Sequence, residues 1–206
     1  HTHLAENRSE VAWVRSLFPG RRSYLDVYAH HGLLGPRALF AHAIHLGDHD
    51  CRQLAASGAA VAFCPSSNLF LGSGLFNLGR AERHGLKVGI GSDIGAGTSF
   101  SLLRTLGEAY KVEQLQGRTL EPFKALYLAT LGGARALGLE ERIGSLAPGH
   151  EADFVVLDPQ ATPLLRFRLA ECTELGERLA VLLTLGDDRV VRETFVAGVS
   201  RHRRDA

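Results

Sequence analysis

Short, wholly apolar runs alternate with amphipathic stretches through the first two-thirds of the chain, and polar residues follow each run directly. The runs are Ala38-Leu39-Phe40-Ala41, residues 59–64 and Val88-Gly89-Ile90, the last opened by Lys87 in a strand read as 87–90. Strands without polar alternation are buried on both faces, which implies a parallel sheet covered by helices. The intervening stretches carry helix signals. Asn7 with Glu10 three residues on forms a capping box. Val11, Val14, Leu17 and Phe18 then recur at helical spacing until Pro19-Gly20. Asp48 is read as the N-cap of a helix that ends before Gly58. Residues 80–84 read as a helical stretch and 99–116 as a long helix.

His42, Ser66-Ser67-Asn68 and Asp93 each sit just past an apolar run. In a (β/α)8 barrel the strand C-termini converge on one face, which holds the active site. An open doubly wound sheet would spread such residues along an edge, except at its switch point. The barrel is the favoured α/β fold. After Asp93 the pattern changes. Residues 120–137 read as a helix broken near Gly132-Gly133, Phe154–Leu157 as a strand, and 193–198 as a strand and turn. The expected division is 1–140 as part of a barrel and 141–206 as part of a small β-rich domain. The basic run Arg201-His202-Arg203-Arg204 is expected to be a solvated, frayed tail.

Composition bounds the partners. With 45% hydrophobic and 22% charged residues, the chain resembles an ordinary soluble domain. A net charge of +1 gives no global field for nucleic acid or an anionic membrane. Cys51, Cys64 and Cys172 are too few and too scattered for a disulfide framework, which fits a reducing, cytoplasmic compartment. Cys64 is expected to be a small buried residue, not a nucleophile. Gly72 and Gly74 have no dinucleotide or phosphate-loop pattern around them and read as loop flexibility.

Chemistry concentrates in three places. The chain opens His1-Thr2-His3-Leu4-Ala5-Glu6-Asn7, His42 ends the next strand, and Asp93 ends the strand two units further on. Two histidines two apart in a strand point the same way, as a metal pair would. Imidazole and carboxylate both suit zinc or iron. Singly, each residue has a plain structural reading. His42 would be a satisfied core histidine, Asp93 a helix N-cap, and Glu6 a first-turn charge. Ser66, Ser67 and Asn68 would touch substrate or only turn the loop. Histidines outside the motif, His45 among them, are read as structural or exposed.

Taken together, these motifs resemble the amidohydrolase superfamily, and within it the branch that deaminates guanine. The resemblance rests on Thr2-His3-Leu4-Ala5-Glu6-Asn7, Ala41-His42, Cys64-Pro65-Ser66-Ser67-Asn68-Leu69 and Gly91-Ser92-Asp93. It continues through Gly144-Ser145-Leu146-Ala147-Pro148-Gly149, Ala152-Asp153-Phe154 and Gly186-Asp187-Asp188. It implies that this chain carries strands five to eight of a TIM-type barrel plus part of a small β-sandwich domain. It implies that His3 and Asp93 bind the metal, zinc or alternatively iron, and that Glu6, His42 and Asp93 are catalytic. His3, Glu6 and Asp93 would also contact substrate. Glu6 would shuttle protons, and His42 would orient the water or substrate. His1 mimics a first-strand ligand pair, but the strand count to Asp93 and the following Glu6-Asn7 place His3 on strand five, so His1 is not expected to bind metal. The implied reaction converts guanine to xanthine and ammonia in a cytoplasmic homodimer, with a small-molecule purine as partner and neither nucleic acid nor membrane. Alternatives are a relative acting on another purine, pyrimidine or triazine ring, or a catalytically inactive module with an assembly role. The chain starts without Met and in mid-motif. It is therefore expected to be the C-terminal half of a longer protein, inactive and insoluble, molten or oligomeric by itself.

Overall fold

A computed structural model describes residues 1–204. Its elements run in the order β1 (Thr2–Leu4), α1 (Arg8–Leu17), α2 (Tyr24–His30), β2 (Leu39–His42), α3 (Asp48–Ser57) and β3 (Ala60–Phe63). These are followed by α4 (Pro65–Phe70), α5 (Leu78–Arg83), β4 (Lys87–Ile90), α6 (Leu102–Leu115), α7 (Pro122–Ala129) and α8 (Leu131–Leu137). The remainder is β5 (Phe154–Leu157), α9 (Pro163–Ala170), α10 (Leu175–Leu185), β6 (Val191–Val196) and β7 (Val199–Arg203).

Strands β1 to β4 form one parallel sheet in sequence order. Thr2, Phe40, Val61 and Val88 stand in one register row, and His3, Ala41, Ala62 and Gly89 in the next. Each strand is only three or four residues long, so the chain turns within a few residues of every strand end. Phe40, Val61 and Phe63 are fully buried and share one core with Leu4, Leu25, Leu54 and Leu128. The alternation of apolar strand and helix is thus an α/β fold with its sheet under helices.

Local signals explain the boundaries. Asn7 accepts from the Glu10 N–H at 2.8 Å, and the Glu10 carboxylate reaches back to the Asn7 N–H. The capping box is therefore formed. The third helix starts one residue earlier than expected: Gly47 is the N-cap, and Asp48 is the first helical residue. The break in 120–137 falls at Thr130 (φ −122°, ψ −101°), whose hydroxyl donates to the Leu126 carbonyl at 2.8 Å. Such a side-chain bond to the preceding turn competes with the helix ladder. Gly132 and Gly133 lie inside α8 instead. The close approach of α8 to β4 depends on Gly89 of the strand, since a Cβ there would stand 3.0 Å from Gly133 Cα.

Beyond Gly138 a second, antiparallel sheet runs β5-β6-β7. Two helices interrupt it, and periodicity alone reveals neither. Thr162 caps α9 with Pro163 at its first turn, and Glu174 with Glu177 caps α10, both being ordinary helix-start devices. Helix α10 packs on α6 and α7. Leu165, Val181 and Val190 form a small second core, against which Leu103 and Leu157 pack. The basic run is not frayed. Val199–Arg203 is an edge strand with exposed side chains. The Arg204 guanidinium donates to Asp158 and to the Arg189 carbonyl. No helix among the described residues is long and apolar enough to cross a membrane.

Candidate functional site

Three strand ends converge. His3 lies on β1, His42 closes β2, and Asp93 follows β4 by three residues. Strict alternation would turn His42 away from the face that Ala41 shares with His3. A left-handed backbone at His42 (φ +69°) ends that alternation, and the two imidazoles stack with centroids 5.3 Å apart and planes at 11°. Ala5 (φ +47°), Ala43 (φ +50°) and Asp93 (φ +48°) adopt the same unusual backbone region. For residues other than glycine such conformations cost on the order of 1–3 kcal/mol each, and they cluster where a site must be aimed.

The surroundings enforce each bend. After β2 the chain stays bound to β1, with the Ala43 N–H donating to the Leu4 carbonyl at 2.8 Å and the His45 N–H to the Ala5 carbonyl at 3.1 Å. After β4 a tight turn returns the Gly97 N–H to the Asp93 carbonyl at 2.6 Å. Only glycine fits there, because a Cβ on Gly97 would collide with the Ser92 carbonyl at 1.8 Å.

One donor atom each from His3, His42 and Asp93 lies within 4.8 Å of the others. Two donors on one ion with bonds of about 2.1 Å stand at most roughly 4.2 Å apart, so small side-chain rotations would bring all three onto a cation. His42 supplies the stronger test of fit. Its ring is 1% exposed. Its Nδ1–H donates to Asn68 Oδ1 at 2.8 Å. In that tautomer Nε2 keeps its lone pair. That nitrogen is buried without a hydrogen-bond partner among the described residues, and it faces Glu6 Oε2 at 3.8 Å and Asp93 Oδ2 at 3.9 Å. A buried lone pair between two carboxylates suits a cation, and two imidazoles with one carboxylate are a donor set zinc or iron accepts. Sequence reasoning gave the ion His3 and Asp93 alone; the geometry adds His42 as a third donor within reach.

Glu6, two residues past β1, is held from two sides. Its N–H donates to Glu10 Oε2 at 2.8 Å, and its Oε1 accepts from the Ser73 hydroxyl at 2.8 Å. The structure therefore brings together His3, Glu6, His42 and Asp93. His1 stands apart, exposed at the other end of β1 beside Tyr28 and Leu39. Ser66, Ser67 and Asn68 are buried in α4 and do not merely turn a loop. Cys64 is buried, and burial pushes its thiol up to about 12, so it is no nucleophile at neutral pH. A cavity of about 570 Å³ between α6, α7 and α10 contains none of the four converging residues.

Sequence reasoning missed three residues that hold this arrangement. Asn68 fixes His42, Ser73 holds Glu6, and His45 Nε2 meets the Ser73 carbonyl at 2.9 Å. With a carbonyl as partner, Nε2–H is the donor. Asn68 lies within the Cys64–Leu69 motif, but nothing in that motif marks it as the partner of His42. No local signal pointed to Ser73 or His45.

Comparison with known proteins finds similar sequences and folds. The chain is 54% identical over 198 residues to guanine deaminase of Escherichia coli (strain K12), covering 96% of this chain and 45% of that protein. The solved E. coli guanine deaminase superimposes with a TM-score of 0.98 at 53% identity, over 100% of this chain and 48% of that one. Guanine deaminase from C. acetobutylicum, solved with guanine in its active site, matches at TM-score 0.85 and 30% identity, over 96% of this chain and 47% of that one. An adenosine deaminase from Xanthomonas campestris with bound zinc matches at TM-score 0.83 and 27% identity, over 97% of this chain and 44% of that one. The chain thus spans about half the length of the relatives it matches. The model of the Amidohydrolase family matches residues 1–200, so the chain belongs to the amidohydrolase family.

Proposed function

We propose that this chain is the C-terminal half of a TIM-type (β/α)8 barrel, strands five to eight, and that the full-length protein hydrolyses guanine to xanthine and ammonia. In this reading residues 1–140 are the barrel segment and 141–206 belong to a small composite β domain. The observation that carries the proposal is the meeting of His3, Glu6, His42 and Asp93 within a few ångströms at the ends of parallel strands. The guanine deaminases among its relatives supply the substrate.

Amidohydrolases are metal-dependent, and a zinc-bound relative favours zinc over iron here. His3 and Asp93 would hold the ion, with His42 in reach. When bound, the cation would supply the Lewis acidity that makes water a competent nucleophile near neutral pH. Asp93 would accept the proton of the attacking water. His42, its ring fixed by Asn68, would orient that water against the purine. Glu6 would protonate a ring nitrogen, making the adjacent carbon electrophilic; Asp93 would pass the proton taken from water to the amino group, and Glu6 would regain a proton from the new C–OH as ammonia leaves. His3, Glu6 and Asp93 would line the substrate. A cytoplasmic homodimer is the assembly this reading expects.

In the full-length protein, Glu6→Gln is expected to lower guanine turnover by about 10²–10⁴-fold, the range for a positioned acid-base group, while metal content stays level. Ammonia release should be fastest from guanine when adenine, cytosine and a triazine are offered in parallel. Equal loss of metal in Glu6→Gln, or no release from guanine, would overturn the proposal.

A further inference from the structure

Glu6 has two chemically equivalent carboxylate oxygens and a side chain that rotates about three bonds, yet proton transfer needs one oxygen at one place. Ser73 resolves this. It lies 67 residues along the chain from Glu6, in the loop between α4 and α5, and its hydroxyl donates to Glu6 Oε1 at 2.8 Å. Ser73 is buried. Its backbone is tied on both sides: its N–H donates to the Asn68 carbonyl at 2.9 Å, and its carbonyl accepts from His45 Nε2 at 2.9 Å. His45 is itself anchored to the Ala5 carbonyl, next to Glu6. A closed circuit therefore runs from Ala5 through His45 and Ser73 back to Glu6.

The same short segment orients the other half of the site, because Asn68 of α4 accepts from His42 Nδ1. With Oε1 taken by Ser73, Oε2 is the oxygen that faces His42 Nε2.

We propose that Ser73, seated by His45 and Asn68, is a positioning residue for Glu6: it occupies Oε1 and leaves Oε2 as the oxygen that exchanges protons. The proposal rests on the proton-transfer role given to Glu6 above. Ser73 keeps its own proton throughout; Oε2 gives its proton to the ring nitrogen and regains one from the C–OH of the tetrahedral species as ammonia leaves. Positioning of this kind acts on the rate of the chemical step and not on ground-state binding.

The test uses the full-length protein with Ser73→Ala, Ser73→Thr, Glu6→Ala and the Ser73→Ala/Glu6→Ala double variant. Guanine kinetics, metal content and melting temperature are measured for each. Ser73→Ala should lower kcat about tenfold or more, with KM within about twofold and unchanged metal content. Ser73→Thr, which keeps the hydroxyl, should recover most of the rate. In the Glu6→Ala background, removing Ser73 should cost nothing further, because its effect runs through Glu6. Should Ser73→Ala fail to fold, His45→Gln, which loosens the seat of Ser73, should give the same loss in kcat alone. A loss from Ser73→Ala that multiplies with that of Glu6→Ala, or a rise in KM at constant kcat, would overturn the positioning role and leave the proton-transfer role intact. Full turnover by Glu6→Ala would overturn both.

Discussion

His42 is set by two independent constraints. Backbone hydrogen bonds from Ala43 and His45 to β1 hold its left-handed bend, while Asn68 holds its ring. Removing the second constraint without the first is feasible. Asn68→Ala in the full-length protein leaves the His42 Nδ1–H buried without an acceptor, which costs about 1–3 kcal/mol. Because partners that orient a site imidazole typically carry about 10–100-fold in metal affinity or activity, kcat/KM for guanine should fall by that factor. A value within twofold of the parent would remove Asn68 from this role. The residue scale also shows what a sequence can display. His42 and Asp93 were legible because each lies at or just past the end of an apolar strand, and strand ends of a parallel sheet meet; His3 and Glu6 were legible only through the opening motif that carries the family resemblance. Asn68, Ser73 and His45 were not, since each owes its importance to a side chain or carbonyl 26 to 67 residues away.

Elements were legible where local chemistry alone fixes them. Lys87–Ile90 and the capped helix Arg8–Leu17 follow from apolar runs and a capping box. The helices Pro163–Ala170 and Leu175–Leu185 were missed although Thr162-Pro163 and the Glu174/Glu177 pair are start signals, because neighbouring strands dominate the reading of that tail. What no local signal carries is the packing of α10 on α6 and α7. Between α5, α6 and α7 lies a charged seam with a testable consequence. Glu113 of α6 is 1% exposed and has one carboxylate oxygen without a partner among the described residues. Arg118 stands 3.4 Å from it and also binds Glu82, which Lys124 of α7 reaches at 2.9 Å. Burial lifts the Glu113 carboxyl above its ordinary 4.5, and Arg118 offsets this only in part. A carboxyl raised in the native state binds its proton more tightly there than in the unfolded chain. Its contribution is thus fully favourable below its ordinary value and is lost as pH rises through the native one. Glu113→Gln removes that titration. The melting temperature of the variant relative to the full-length parent should therefore rise from about pH 4 to about pH 7. A difference that is flat across this interval would show that Glu113 does not titrate differently on folding.

The whole molecule carries more surface than its mass warrants. The chain has a mass of 22.3 kDa and exposes 11635 Å². A monomeric protein of that mass is expected to expose about 9,400 Å². The excess, about 2,200 Å², is the size of one face of an obligate interface. Its location is consistent with that reading. The sheet order β1-β2-β3-β4 leaves β1 and β4 each with one unpaired hydrogen-bonding edge, and such edges recruit other strands. Phe100, Leu146, Phe167 and Trp13 are each at least 65% exposed. In the proposed barrel, strands one to four would pair with both edges and so cover them. The 206-residue chain prepared alone should therefore associate in sedimentation velocity, bind a hydrophobic dye, and melt without a sharp transition. Co-expression with the N-terminal half of a guanine deaminase relative should yield a 1:1 complex with a cooperative melt and much weaker dye binding. A monomeric, dye-silent chain that unfolds sharply by itself would mean that its two edges and its apolar surface need no partner, and the half-barrel reading would fail.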